Sequence, residues 1–232
     1  MIPKLIHQTS KTEEVAANCV PYQHKLRELH PDWKYRLWTD ADNLEFVSKE
    51  YPEFLDIFVK LPKNIMRADV IRYLLLYRLG GLYLDLDYEM VKPYDLLNYG
   101  VVLPWETDSE SLPGEGRIVN CFMAAEPGHP FFKMVIDDLK TNPPLSPTVD
   151  VLHTTGPFFL TRILEQALQA GIAVHCPSQR FFNPIVQNPR QYRALVRKGE
   201  AYGIHHCFGS WRDIPSWRWT IHRIGQAVRW FK

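Results

Sequence analysis

Three clusters of polar residues stand out because each is embedded in apolar sequence. In Leu82-Tyr83-Leu84-Asp85-Leu86-Asp87 the period-two geometry of an extended chain turns the leucines to one face and Tyr83, Asp85 and Asp87 to the other. Two carboxylates side by side repel, which raises one pKa unless a cation lies between or beyond them. Oxygen ligands of this kind suit Mg²⁺ or Mn²⁺, which completes its shell with water and substrate phosphate. A strand edge carrying solvated acids is the plainer reading. The Gly80-Gly81 turn and the apolar helix before it favour the metal, because they set the acids near a strand end inside the fold.

The second cluster lies in that helix, where Asp69 and Arg72 share one side of a segment dominated by Ile, Val, Leu and Tyr. Buried charges must be paired. Either the two form an internal salt bridge that orients the helix, or both point at a polar ligand. Arginine's fixed fork of donors suits phosphate or sugar oxygens, and an acceptor-only carboxylate suits hydroxyls. The third cluster is Ile204-His205-His206-Cys207-Phe208-Gly209-Ser210-Trp211. On a strand one imidazole faces each way; the two are either ordinary hydrogen-bonded histidines or supply a neutral third ligand to a metal held by the carboxylates.

These residues need elements to position them. Residues 2–6 read as a buried strand whose end presents His7 and Gln8, residues 20–29 as a helix and 33–38 as a second strand, a βαβ arrangement. Residues 63–79 read as a central buried helix stopped by Gly80-Gly81, and 82–91 as a third strand. The polar, Gly- and Pro-rich run 104–117 reads as a long loop, 118–125 as a strand, and 130–140 and 157–170 as helices. Alternation of strands and helices gives an α/β sandwich, and the lack of a repeat or linker gives one domain over 1–232.

Composition sets the outer bounds. The chain has 232 residues, 46% hydrophobic and 23% charged, with 27 basic and 26 acidic residues. That profile excludes dominant disorder and disfavours nucleic acid as a partner. Cys19, Cys121, Cys176 and Cys207 form no C-x-x-C pair, so neither a zinc ribbon nor a disulfide scaffold is expected, and buried thiols in a reducing, cytoplasmic compartment are. No apolar run approaches the roughly 20 residues of a membrane span. The segment 217–232, WRWTIHRIGQAVRWFK, has an apolar stripe at helical spacing with Arg218, Arg223, Arg229 and Lys232 beside it. It reads as a helix docked on the core or as one lying on an anionic membrane, at the inner face of the plasma membrane.

Taken together, the motifs resemble glycosyltransferase family 32, the DXD-containing sugar transferases that include fungal initiating mannosyltransferases and bacterial capsule and exopolysaccharide enzymes. The resemblance runs through Ile2–Gln8, Trp38-Thr39-Asp40, Arg67–Tyr73, Gly80–Asp87, Asn120 with Pro127–Pro130, and His205–Trp211, in the family's order. It implies a GT-A-type nucleotide-binding fold with a mixed central sheet and a divalent cation, Mn²⁺ or Mg²⁺, bridging the donor diphosphate to the D-x-D motif. Asp87 would bind the metal directly, and Asp85 the metal and the ribose or sugar. Asp69 and Arg72 would hold the donor sugar. Ile6, His7 and Gln8, with Asp40, would frame base and ribose; Tyr83 joins the donor side, and Ser210 and Trp211 would cover the diphosphate. The H-x-x-G spacing to Gly209 favours His206 as the metal ligand, with His205 the alternative, and Asn120 is an acceptor-side candidate.

One departure is Thr9-Ser10, where the family usually has an aromatic residue after the histidine-glutamine pair, which removes base stacking from this segment. The implied activity is transfer, with retention, from a UDP- or GDP-sugar to a glycan or lipid-linked acceptor in polysaccharide biosynthesis. The competing readings are a catalytically silent carbohydrate- or nucleotide-binding protein of the same fold, and a metal-dependent phosphohydrolase, which would need more carboxylates for a second metal.

Overall fold

The computed structural model describes residues 1–107, 116–184 and 189–208. Along the chain these form β1 (Leu5–Thr9), α1 (Val20–Leu29), β2 (Lys34–Trp38), α2 (Asp40–Glu50), α3 (Leu55–Lys60), α4 (Asn64–Leu79), β3 (Gly81–Leu84) and β4 (Tyr88–Met90). There follow β5 (Val101–Val102), β6 (Trp105–Thr107), β7 (Arg117–Ile118), β8 (Phe122–Ala125), α5 (Pro130–Thr141), α6 (Val151–Thr154), α7 (Pro157–Gln169), α8 (Gln179–Phe182), α9 (Pro189–Lys198) and β9 (Gly203–His205).

The central sheet has the order β2-β1-β3-β8-β5. β1 lies parallel to β2 and β3, whereas β8 runs antiparallel to β3 and β5, so the sheet is mixed. Residue alternation divides the core into two layers. Tyr83, Met123 and Ala125 face the helices α2–α5 and α7, while Leu82, Leu84, Phe122 and Ala124 face Leu26 of α1, Tyr88 and Met90 of β4, and Phe182. A three-layer α/β sandwich results, with the small β4–β9 pair lying beside the main sheet.

The switch from α4 to β3 places the candidate acids. Gly80 ends α4 with φ 65° and its N–H on Leu76 O at 3.0 Å, and Gly81 follows at φ 102°. A Cβ on Gly81 would sit 2.4 Å from Leu5 O, so only glycine lets β3 leave the helix and lie directly against β1.

Several boundaries differ from expectation for identifiable reasons. β1 occupies Leu5–Thr9 rather than 2–6, because pairing with β2 runs from Leu5↔Lys34 to Thr9↔Trp38; Pro3 precedes the strand, and Ile2 is a core residue. The expected strand 82–91 is two strands, since Tyr88 N donates to Asp85 O at 3.0 Å and closes a turn through Asp85–Tyr88. The expected strand 118–125 likewise divides into β7 and β8 around Asn120. Helix α2, which the sequence pattern does not announce, is started by a capping box in which Thr39 and Asp42 exchange side-chain and backbone bonds. The segment 217–232 lies outside the described residues, as does most of the 104–117 loop.

Candidate active site

The turn after β3 brings Asp85 and Asp87 together with His205 at the end of β9, with one ligand atom from each lying within 4.8 Å of the others. His205 Nε2 is 3.1 Å from Asp87 Oδ1 and 3.9 Å from Asp85 Oδ2. The acids therefore converge through a turn rather than along a flat strand face. Burial works against the charge of Asp87, but the hydrogen bond and charge of His205 and the Phe208 N–H, 2.8 Å from Oδ2, hold its carboxyl below the ordinary carboxylate value. Two carboxylates and one imidazole nitrogen fit a hard divalent ion.

His205, not His206, joins the acids. β4 and β9 pair antiparallel with Tyr88 opposite His205, so the next side chain turns the other way. His206 instead meets Glu89 Oε2 at 3.0 Å and stacks on Tyr22, with centroids 4.6 Å apart and planes 9° from parallel. The spacing to Gly209 that favoured His206 carries no information about which side of a strand faces the acids.

Asp69 and Arg72 form the buried pair that their position in α4 requires, Nη2 to Oδ1 at 3.3 Å, each 3% exposed. Arg72 also reaches Asp85 Oδ1 at 3.1 Å, donates from Nε to Ala68 O and from Nη1 to Asn120 O, and lies over the Tyr83 ring. Burial alone would lower its pKa; Asp85 and Asp69 raise it above the ordinary value. Asp69 accepts from Asn120 Nδ2 at 3.0 Å and Thr155 Oγ1 at 2.9 Å. Burial nevertheless pushes its carboxyl up to about 7, against the pull of Arg72 and these donors. Arg72 thus ties the helix pair to the D-x-D turn, and Asn120 belongs to this network. Thr155, a neighbour invisible in the sequence, completes it.

Tyr83 is buried, its hydroxyl donating to Asp85 Oδ1 at 3.0 Å and so accepting from Thr9 Oγ1 at 2.9 Å. The Ile6–Gln8 stretch is interior. Ile6 packs in the core. His7 Nδ1 accepts from the Trp38 indole at 3.0 Å, which leaves the proton on Nε2 to bond Gly80 O at 2.9 Å; burial lowers its pKa to about 4. Gln8 accepts from Tyr35 Oη and donates to Asp85 O. These side chains therefore brace β1 against β2 and the D-x-D turn. Asp40 is exposed at the start of α2 and lines a cavity of about 360 Å³ with Asn43, Asn64, Arg67 and Ala68, the last adjoining Asp69. Asn43 is a residue the sequence did not single out; it is buried, and its Oδ1 has no hydrogen-bond partner among the described residues. Ser210 and Trp211 lie outside the described residues.

The sheet and the carboxylate turn at its centre define a GT-A glycosyltransferase fold. The PaToxG glycosyltransferase superposes with a TM-score of 0.55 at 18% identity, covering 74% of this chain and 73% of that one, which shows the fold alone. Residues 16–105 match the glycosyltransferase sugar-binding region containing the DXD motif, and the chain belongs to that family, glycosyltransferase family 32. It is 42% identical over 168 residues to inositol phosphoceramide mannosyltransferase 3 of Schizosaccharomyces pombe, across 70% of this chain and 44% of the relative. Mannosyl phosphorylinositol ceramide synthase SUR1 of Saccharomyces cerevisiae is 39% identical, across 72% and 42%. The chain spans about half the length of the curated relatives it matches.

Proposed function

We propose that the chain transfers a hexose from a UDP- or GDP-sugar to a glycan or lipid-linked acceptor, with Mn²⁺ or Mg²⁺ and with retention of anomeric configuration. The observation that carries this reading is the Arg72 guanidinium held between Asp69 and Asp85 beside the Asp85–Asp87–His205 cluster. One fixed charge network thereby joins a hydroxyl-accepting carboxylate to a cation site. The relatives named for inositol phosphoceramide favour a lipid acceptor over a free sugar.

Asp85, Asp87 and His205 would hold the cation, which stabilises charge developing on the leaving diphosphate. Tyr83 and Arg72 fix Asp85 from behind, and Phe208 N–H fixes Asp87. None of the three acids is set up as a covalent nucleophile. Asp69 is bound by Thr155, Asn120 and Arg72, Asp85 by Tyr83 and Arg72, and Asp87 by His205 and Phe208. Attack by the acceptor hydroxyl on the face the diphosphate leaves, its proton passing to the departing phosphate, suits that arrangement.

The test is to incubate the protein with Mn²⁺ and a panel of UDP- and GDP-sugars, with and without EDTA, and measure released nucleoside diphosphate. Release from at least one donor, abolished by EDTA, is expected. No release from any donor, or release indifferent to EDTA, overturns the reading.

A further inference from the structure

We propose that Tyr22, Lys25 and Glu89 act through His206 as a clamp that positions the His205–Phe208 loop, and with it the imidazole and the backbone N–H that address Asp87. This rests on the reading of Asp85, Asp87 and His205 as a cation site.

The loop needs holding. It leaves β9 at His205 and turns through Cys207 at φ 52°, a left-handed conformation that a cysteine adopts only when its surroundings impose it. From inside, His206 N donates to Asp87 O at 3.0 Å and Phe208 N to Asp87 Oδ2 at 2.8 Å. From outside, Glu89 joins two elements, with Oε2 3.0 Å from His206 Nε2 and Oε1 3.0 Å from Lys25 Nζ on α1. The Tyr22 ring, one turn earlier on α1, lies flat against His206, and Phe208 stacks near both at 6.3 and 5.7 Å.

The geometry at Asp87 shows what the clamp does. Phe208 N–H occupies Oδ2, which leaves Oδ1 facing His205 Nε2 at 3.1 Å. If the loop moves, both the imidazole and the group that orients the carboxylate move together. Groups one shell out from metal ligands typically alter metal affinity 10- to 100-fold when removed.

Mn²⁺ affinity of the full chain, read by electron paramagnetic resonance, should weaken roughly tenfold or more in Glu89→Gln and in Tyr22→Ala. Tyr22→Phe, which keeps the stacking face, should restore it. Amide hydrogen exchange at His206 and Phe208, measured without metal, should accelerate in the first two variants and not in Tyr22→Phe. Unchanged affinity together with unchanged exchange would overturn the clamp, as would a fall in melting temperature with Mn²⁺ affinity of the folded protein intact. Failure of the wild-type chain to bind Mn²⁺ would overturn the cation site instead, and the exchange rates would still decide whether the loop is clamped.

Discussion

Asp69→Asn separates what the buried carboxylate costs the fold from what it does for a ligand. Asp69 sits in α4 at 3% exposure, 3.3 Å from Arg72, and burial raises its carboxyl from the ordinary 3.8 to about 7. With the folded-state pKa above the unfolded one, it is the protonated form that favours folding. That contribution is complete below pH 3.8 and is lost as the pH rises through about 7. A shift of that size corresponds to a penalty of about 4 kcal/mol above pH 8. Asparagine is neutral in both states and removes the slope, but its amide NH2 offers a donor where the carboxylate accepted, at a cost of about 1–2 kcal/mol. The variant should therefore trail wild type by about 1–2 kcal/mol near pH 4 and lead it by about 2 kcal/mol above pH 8, read by urea unfolding across that range. Sugar transfer should fall throughout, because one of the two acceptor oxygens becomes a donor. A deficit of about 3–5 kcal/mol that does not vary with pH would refute the reasoning, since it would mean an ion pair charged across the whole range. Unchanged specific activity would remove Asp69 from the sugar site.

Other outcomes follow from the same geometry. Asp87→Ala should abolish metal-dependent binding of nucleoside diphosphate in calorimetry while costing only about 1–3 kcal/mol of stability, the worth of its bonds to Phe208 N and His205; substantial residual metal-dependent turnover would show that the site is misassigned. Gly81→Ala should destabilise the fold by at least about 3 kcal/mol in urea, because φ 102° and the Leu5 carbonyl both exclude a Cβ. A chain ending at Ser216 should lose binding to anionic vesicles, and that binding should weaken at high salt in the full chain; vesicle sedimentation of both tests the membrane role of 217–232, which fails if both stay in the supernatant or if truncation unfolds the protein.

Much of the frame was legible because its signals are local. The apolar run from Asn64 to Leu79 with Gly80-Gly81 after it could hardly be anything but a buried helix turning into a strand. The β1–α1–β2 unit was readable as two short strand-like runs flanking a helical stretch, and the structure opens α5 and α7 on Pro130 and Pro157, which sit at first helical positions. The misses have local causes as well. α2 is capped by Thr39, with Asp42 three residues on, a capping box whose acid is Asp where the commoner signature has Glu or Gln. The apolar run 2–6 starts three residues ahead of β1 because an apolar run marks burial, whereas a strand's limits are set by its partner, here β2.

The site was legible in its residue types and much less so in its connections. Embedding charges in apolar sequence is costly, which made Asp69, Arg72, Asp85 and Asp87 visible, yet no spacing rule links position 72 to position 85, or Thr155 to Asp69. Those contacts depend on how α4 lies across β3 and on where the Val151–Thr155 segment returns to it. The choice between His205 and His206 turns on a single register, Tyr88 opposite His205; a slip of one residue in β9 would exchange the two imidazoles. Tyr88 itself is buried, with its hydroxyl on Phe182 O at 2.6 Å, and Gly203 leaves no room for a Cβ against that same ring. A core tyrosine and a glycine two residues before the histidine therefore decide which imidazole reaches the acids, so the make-up of the Asp85–Asp87–His205 cluster is set by packing well inside the fold.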